Sequence, residues 1–336
     1  MNTMKTMTTY AMALLLPALA FTACGGNDDN ETPAQRPNKP DSTLTSGEPL
    51  TLADPTIFLD GDTYYLYGTS NVDNGFEVYQ SKDLKKWEGP VGASNGLALS
   101  KADSWGTGSF WAPQVFKHNG KYYMAYAANE QIAIAVADSP KGPFKQATKA
   151  QIPATTKEID PFVFFDDDGK AYLYHDRLTT GNIIFCAQMS SNLSKVDEST
   201  VAECIRATLP WENTANNSWG VTEGPTVVKL DGTYYMFYSA NDYQLISYAV
   251  GVATATSPYG PWTKPQKPLI SRDVIHQNGT GHGDLFKDKE GRWMYVFHTH
   301  FSINSVQPRR TAIVQLNYEK GKGFSVADGT FRYLTK

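Results

Sequence analysis

The sequence predicts an all-β protein that folds as a single five-bladed β-propeller. Five stretches repeat one pattern at intervals of about fifty residues: a polar start, a buried run, a turn and then an aromatic-rich strand. Repeats of this length, built from short strands, are typical of propeller blades. They extend over nearly all of the 336 residues, which favours one domain over two.

Each repeat supplies an apolar first strand and a second strand rich in tyrosine, phenylalanine or tryptophan. In chain order the pairs are 54–58 with 64–67, 111–116 with 122–126, 159–164 with 172–174, 223–228 with 234–238, and 282–286 with 293–297. Acidic and glycine residues between paired strands, as in Asp231-Gly232, favour tight hairpin turns. The segment from Gly321 to Lys336 suffices for a closing strand, and Leu50-Thr51-Leu52 can contribute to closure.

The residues that open the repeats are the candidate functional residues. In a propeller the innermost strand of each blade begins beside the central axis, so these residues should converge on one pocket. The sequence places Asp54, Asp160 and Glu223 there, just before the prolines, with Trp111 and His282 at matching places. Any one of them alone is explained by a turn or by packing. Several like charges in one pocket cost free energy unless function uses them, so the set predicts an active site.

The amino terminus has the pattern of an export signal followed by a tether. An apolar run, Ala11–Phe21, is too short to span a bilayer and ends shortly before Cys24. A lone cysteine after a small residue resembles a bacterial lipoprotein signal, although Phe21 stands where leucine is usual; an ordinary cleaved signal is the alternative. We therefore predict lipidation of Cys24 and an exported lipoprotein of the outer membrane, at the cell surface or the periplasmic face. The predicted divisions are 1–23 for the signal, 24–47 for a flexible tether and 48–336 for the catalytic domain.

The charge composition limits the kinds of partner that the protein can bind. The chain has 30 Lys and Arg against 34 Asp and Glu and no long basic block, which argues against a nucleic-acid partner. We expect a monomer. Cys186 and Cys204 lie in the third repeat, where they either pair in an oxidising compartment or remain free buried thiols.

The opening motifs together resemble glycoside hydrolase family 43. They are Ala53-Asp54-Pro55, Phe110-Trp111-Ala112-Pro113, Ile159-Asp160-Pro161 and Thr222-Glu223-Gly224-Pro225, in this order and each at the head of a repeat. The resemblance covers about residues 50 to 320. It implies a five-bladed propeller that hydrolyses arabinose- or xylose-containing plant polysaccharides or oligosaccharides. We expect an exo-acting α-L-arabinofuranosidase or β-xylosidase with an inverting mechanism; the alternatives are an endo-arabinanase or galactanase on this fold, or a non-catalytic surface glycan-binding propeller.

The resemblance also implies roles for single residues. Asp54 is similar to the family's general base, Glu223 to its general acid and Asp160 to its auxiliary aspartate. Arg309 stands where many members place an arginine that contacts the terminal sugar. Arg310 is the alternative, since alternation along a strand lets only one of the two point inward.

The resemblance implies no cofactor for the chemistry. His282 resembles a histidine near a calcium or water cluster on the axis, which suggests at most a structural Ca²⁺ that this residue contacts through water. Trp111 offers either an aromatic wall to the sugar or packing between blades.

The residue types fit this chemistry. Inversion needs a protonated acid at the leaving oxygen and an ionised carboxylate that holds a water about 6.5 to 9.5 Å away. Asp54 and Glu223 come from different repeats, which allows such a gap. A charge on Asp160 near Glu223 would raise the pKa of that acid and keep its proton available. Segments 92–108 and 211–219 are candidate rim loops.

Overall fold

Within each repeat the strands pair in antiparallel fashion, and the repeats form the blades of a propeller. The computed structural model describes residues 47–336. The predicted signal, Cys24 and nearly all of the predicted tether lie outside these residues. The prediction of an all-β, five-bladed propeller is confirmed.

The blades follow one another along the chain. Blade 1 contains β1 (Ala53–Asp60), β2 (Thr63–Thr69), β3 (Gly75–Glu77), β4 (Tyr79–Ser81) and β5 (Leu97–Ser100). Blade 2 contains β6 (Trp111–His118), β7 (Lys121–Ala128) and β8 (Gln131–Ala137). Blade 3 contains β9 (Glu158–Phe165), β10 (Ala171–Leu178), β11 (Gly181–Gln188) and β12 (Ala202–Ile205). Blade 4 contains β13 (Gly220–Leu230), β14 (Thr233–Ala240) and β15 (Ala249–Ala255). Blade 5 contains β16 (Gly281–Lys287), β17 (Trp293–Thr299), β18 (Arg310–Glu319), β19 (Gly323–Val326) and β20 (Arg332–Tyr333).

Helical structure is confined to short connections. One α-helical turn, α1, spans Arg272–Ile275, and 3₁₀ turns span Glu198–Thr200 and Pro210–Glu212. Across residues 47–336, none of the helices has the length and hydropathy needed to cross a bilayer.

The core consists of apolar clusters between neighbouring blades. Successive side chains of a strand point to opposite faces, so each second strand serves two interfaces. In β2, Tyr64 and Leu66 pack towards blade 5, whereas Tyr65 and Tyr67 pack towards blade 2. The other interfaces, between blades 2 and 3, 3 and 4, and 4 and 5, have clusters of the same kind. The aromatic-rich strands that revealed the repeats are therefore the strands that join the blades.

The inner strand of every blade begins with the same backbone irregularity. A residue with φ between 40° and 61° interrupts the register of the first two strands in each blade. The five residues are Asp54, Ala112, Asp160, Gly224 and His282. Trp111 and Glu223 lie one position earlier, so the predicted matching of these two with the others is offset by one residue. Positive φ is costly for residues other than glycine and is characteristic of functional sites.

The ring is closed by the segment just before β1. Leu50 donates its backbone N–H to Leu334 (2.9 Å) and accepts a hydrogen bond from the backbone of Thr311 (2.9 Å). The Thr311 hydroxyl accepts from the N–H of Leu52 (3.0 Å) and donates to its carbonyl (2.8 Å). The 50–52 segment thus joins blade 5 to blade 1, as the sequence predicts.

Candidate active site

A cavity of about 660 Å³ opens at the end of the axis where the inner strands begin. Its volume lies in the range of small-molecule sites. The six predicted site residues within the propeller all line it: Asp54, Trp111, Asp160, Glu223, His282 and Arg309. The structure therefore brings the five residues from separate blade starts together with Arg309.

Asp54 is surrounded by positive and polar groups. Arg309 Nη1 lies 2.9 Å from Oδ1, and Nη2 lies 3.4 Å from Oδ2. Burial alone would raise the pKa of Asp54, but the charge of Arg309, with smaller contributions from His282 and His298, holds this pKa well below its ordinary value. Asp54 is therefore a carboxylate at neutral pH.

His298, on β17, supports this arrangement and was not predicted. Its Nδ1 lies 3.2 Å from the backbone nitrogen of Asp54, and its Nε2 lies 3.3 Å from Arg309 Nη1. Burial, followed by the nearby Arg309 charge, lowers the pKa of His298 to about 3, so the ring is neutral. Tyr248 stacks on this ring with the centroids 5.6 Å apart. His298 thus fixes the positions of Asp54 and Arg309 without adding charge.

Glu223 has an environment of the opposite kind. Tyr248 donates its hydroxyl to Oε1 (2.7 Å), and Asn182 donates its amide to Oε2 (3.0 Å). Burial raises the pKa of Glu223 to about 7; the charge of Asp54 adds to this, while the two hydrogen bonds and Arg309 act against it. At neutral pH a large fraction of Glu223 therefore holds a proton.

A third and a fourth carboxyl group lie behind Glu223. Asp160 Oδ2 accepts a hydrogen bond from the backbone N–H of Gly224 (3.3 Å). One carboxyl oxygen each from Asp160, Asp176 and Glu223 lies within 4.8 Å of the others. Burial first, and then mutual repulsion, raises the pKa values of Asp160 and Asp176 well above the ordinary range. These groups titrate as one coupled set.

His282 lies between Asp54 and Asp160. Its Nδ1 is 3.5 Å from Asp54 Oδ1 and 3.7 Å from Asp160 Oδ2. Calcium held by protein takes six to eight oxygen ligands, and this set offers two carboxylates and a nitrogen. The residues around His282 therefore do not fit direct coordination of calcium, and no step of the chemistry below uses a metal. Contact with an ion through water stays a prediction.

The remaining predicted residues take definite positions. Trp111 is half-buried and faces the cavity. Arg309 reaches Asp54, while the guanidinium carbon of the buried Arg310 lies 3.3 Å from the centre of the Tyr333 ring. Of the two predicted rim segments, only 211–219 reaches the cavity, through Trp219. Cys186 and Cys204 lie on the paired strands β11 and β12 as free thiols.

Sequence reasoning missed Asp176, His298, Tyr248 and Asn182. None of them opens a repeat: Asp176 and His298 lie within second strands, Asn182 on a third strand and Tyr248 just before another. For His298 the signal was a titratable side chain inside an otherwise apolar strand, whereas Asp176 lies between His175 and Arg177 and does not stand out in this way. Both side chains are 0% exposed, which calls for a buried polar partner.

The comparisons with known proteins agree on one family. The model of "Glycosyl hydrolases family 43" matches residues 49–323. A solved endo-1,4-β-xylanase from Bacteroides thetaiotaomicron is 39% identical; the alignment covers 87% of this chain and 99% of that one, with a TM-score of 0.80. A solved endo-arabinase from the same organism is 29% identical over 82% of this chain and 99% of that one, with a TM-score of 0.69.

One further relative is a β-xylosidase from Xylanibacter ruminicola. It is 29% identical over 222 residues, which are 58% of this chain and 66% of that protein. The family match, the propeller and the paired carboxyl groups lead to the same identification. The chain belongs to glycoside hydrolase family 43 and is an inverting glycosidase.

Proposed function

We propose that the protein removes terminal L-arabinofuranosyl or D-xylosyl units from plant polysaccharides or oligosaccharides, with Asp54 as general base and Glu223 as general acid. The observation that carries the proposal is the opposite protonation of these two residues in one cavity. An inverting glycosidase needs this combination, since one carboxyl group must give a proton while the other must accept one.

On the base side, Asp54 removes a proton from the attacking water. Arg309 and His298 keep the carboxylate ionised and fixed in direction. Among residues 47–336, the pair with Arg309 is the closest ion pair of Asp54, and an oxygen lone pair remains available for water. The water attacks the anomeric carbon from the face opposite the leaving group, which inverts the configuration.

On the acid side, Glu223 protonates the glycosidic oxygen. A pKa of about 7 suits this role because the proton is both present and transferable near neutral pH. Once the proton has left, Tyr248 and Asn182 donate to the two carboxylate oxygens and stabilise the ionised form. Asp160 serves as the auxiliary aspartate that acts on Glu223.

The walls of the cavity support removal of a terminal sugar. Arg309 lies under the ring of Tyr243, with its guanidinium carbon 4.6 Å from the centroid, and Gln307 and Pro308 adjoin it. This group forms the wall beside Asp54, where the sugar being released would lie. Trp219, 46% exposed, stands beyond Glu223 on the leaving-group side, and Trp111 supplies a further aromatic surface.

Internal cleavage of arabinan or xylan is the second candidate. Two similar solved structures are named as endo-acting enzymes, an endo-1,4-β-xylanase and an endo-arabinase. Galactan hydrolysis and glycan binding without catalysis are weaker candidates. The presence of both an ionised and a protonated carboxyl group argues against a propeller that only binds glycans.

A substrate screen tests the proposal. The purified protein is incubated with 4-nitrophenyl arabinofuranoside, xyloside and galactoside and with arabinan, xylan and galactan, and the products are separated by chromatography. We expect turnover of a pentoside and release of a single monosaccharide from the polymers. Oligosaccharides as the first products would support endo cleavage, and binding without turnover would support a lectin-like role.

We further propose that the protein is an exported lipoprotein, anchored to the outer membrane through Cys24, and that the propeller acts as a monomer. The basis is the sequence of residues 1–47 alone. Incorporation of a radiolabelled fatty acid into the wild type but not into Cys24→Ser tests the anchor.

A further inference from the structure

Asp176 is the one carboxyl group of the site that touches no donor among residues 47–336. It lies in the middle of β10, between Ile159 on β9 and Ile184 on β11, and it is 0% exposed. No N–H or O–H group of the described residues donates to either carboxyl oxygen. An ionised carboxylate in such a place would carry a large desolvation cost with no donor to offset it.

The neighbours of Asp176 offer it an acceptor instead. One carboxyl oxygen each of Asp176, Asp160 and Glu223 lies within 4.8 Å of the others, and a hydrogen bond with Asp160 contributes to the raised pKa of Asp176. The strands packed on either side contribute isoleucines, and the titratable or charged groups farther along the cavity are Asp54, His282 and Arg309. A carboxyl surrounded by acceptors is satisfied when it holds a proton and donates it.

We propose that Asp176 is a positioning residue that stays protonated in the working enzyme and donates a hydrogen bond to Asp160. The inference rests on the proposed roles of Asp160 and Glu223 and adds the residue that determines which of the two holds a proton. Burial and the charges of Glu223 and Asp54 raise the pKa of Asp160, and the hydrogen bond from Asp176 acts against this rise, because a charge-assisted O–H···O⁻ bond stabilises the carboxylate. The second proton of the cluster then resides on Glu223, where the glycosidic oxygen needs it.

The proposal predicts different effects for two substitutions of Asp176 that are similar in size. Asp176→Asn keeps a donor, since the amide NH₂ group can replace the hydroxyl, whereas Asp176→Leu has none. Without a donor, Asp160 competes with Glu223 for the remaining proton, and a smaller fraction of Glu223 is the active acid. Substrates with poor leaving groups suffer most, because they depend on that proton.

The first experiment compares Asp176→Asn and Asp176→Leu, with Asp168→Asn in the exposed turn of the same blade as the matched control. Wild type must turn over a natural oligosaccharide, which tests the proposed function separately. We expect Asp176→Asn and Asp168→Asn within about threefold of wild type in kcat. For Asp176→Leu we expect at least a tenfold loss of kcat on the oligosaccharide and about threefold or less on an aryl glycoside with a good leaving group.

The second experiment does not depend on activity and remains informative if Asp176→Leu does not fold. In the folded protein the raised pKa of Asp176 means that more protons are bound than in the unfolded chain. Wild-type stability should therefore fall as the pH rises above about 4, the range in which the unfolded group ionises. The melting temperature of Asp176→Asn relative to wild type should rise between about pH 4.5 and 8, and that of Asp168→Asn should not.

Three results would overturn the proposal. One is a loss of kcat in Asp176→Asn as large as in Asp176→Leu, which would make Asp176 an essential anion. Another is a melting-temperature difference for Asp176→Asn that does not change with pH. The third is stoichiometric binding of Mg²⁺ or Ca²⁺ to wild type by calorimetry that Asp176→Asn abolishes, since the cluster would then be a metal site.

Discussion

Asp54 and Glu223 share one cavity, and the few side chains around each decide which of them holds a proton. Arg309 and His298 favour the ionised form of Asp54, whereas burial favours the protonated form of Glu223. Neither assignment follows from residue type, because free Asp and Glu differ little in pKa. The division of roles is therefore a property of the neighbours, and substitutions should reveal it.

Removing either carboxyl group should give a different pattern of loss. If Asp54 is the base as proposed, Asp54→Asn should lose about 10³-fold or more on every substrate, because the attacking water then has no base. Glu223→Ala should lose a similar factor on natural glycans but about tenfold or less on aryl glycosides with good leaving groups, which hardly need protonation. Steady-state kinetics on both substrate types check this, and equal losses for Glu223→Ala would contradict its assignment as the acid.

The effect of Tyr248 on the pKa of Glu223 can be tested through the pH dependence of activity. Its hydroxyl donates to Glu223 and favours the carboxylate, so Tyr248→Phe should raise the pKa of Glu223 further. The acid then keeps its proton to higher pH, and the basic limb of the kcat/KM profile should move upward. Tyr318→Phe, which removes a hydroxyl bonded to Asp231 on the surface, is the control and should leave the limb in place. A downward shift for Tyr248→Phe would show that another group controls the limb.

At the scale of secondary-structure elements, the start of the inner strand positions the carboxyl groups of the site. The residue of positive φ interrupts the pairing of the first two strands, and Asp54 and Asp160 occupy that position themselves. Glu223 lies one residue earlier in its blade, and the residue after it, Gly224, has the positive φ. In blade 4 the direction of the Glu223 side chain thus depends on its neighbour Gly224.

Gly224 should tolerate no side chain. Its φ is 61°, and a Cβ there would lie 2.8 Å from the ring of His282. Gly232, in the hairpin turn of the same blade, also has positive φ but would place its Cβ in open space. We expect Gly232→Ala to cost about 1 kcal/mol of stability and to leave activity unchanged. Gly224→Ala should lose stability and, in addition, about a hundredfold in kcat, because Glu223 and His282 are displaced. Unchanged kcat in Gly224→Ala would mean that the site adjusts.

The sequence predicted the site residues at blade starts but not those inside strands. Blade starts were predictable because each has a proline or glycine motif and a repeat around it, and Asp54, Asp160 and Glu223 were found in this way. Asp176, His298 and Asn182 lie inside strands or near strand ends, where no repeat marks them, and they reach the site only because blades pack side by side. The offset of Glu223 was not visible either, since it depends on which residue adopts positive φ.

At the scale of the whole molecule, stability depends on five interfaces, and the one between blades 5 and 1 must be made by segments from opposite ends of the propeller. Thr311 and Leu52 form two hydrogen bonds across this junction although 259 residues separate them in sequence. Thr311 is 0% exposed, so these bonds have no substitute in water.

Thr311→Val should weaken the closure specifically. The substitution leaves the N–H and carbonyl of Leu52 without their partner, which should lower the free energy of unfolding by about 2 kcal/mol. Thr330→Val removes two similar bonds, to Gln315 and Ala327, within blade 5, where Thr330 is half-buried, and should cost no more than about 1 kcal/mol. Urea denaturation measures both, and equal losses would show that the closure has no special weight.

The closing hydrogen bonds also fix the order in which the propeller can be completed. Four interfaces join consecutive blades and can form while the chain is still being synthesised, but the fifth must wait for Thr311 and Leu334. Because the backbones of Leu50 and Leu334 are hydrogen-bonded at 2.9 Å, a short peptide could link the two ends. A circular permutant opened at the exposed Asp231-Gly232 turn would keep every interface and make the closure between blades 5 and 1 a local contact.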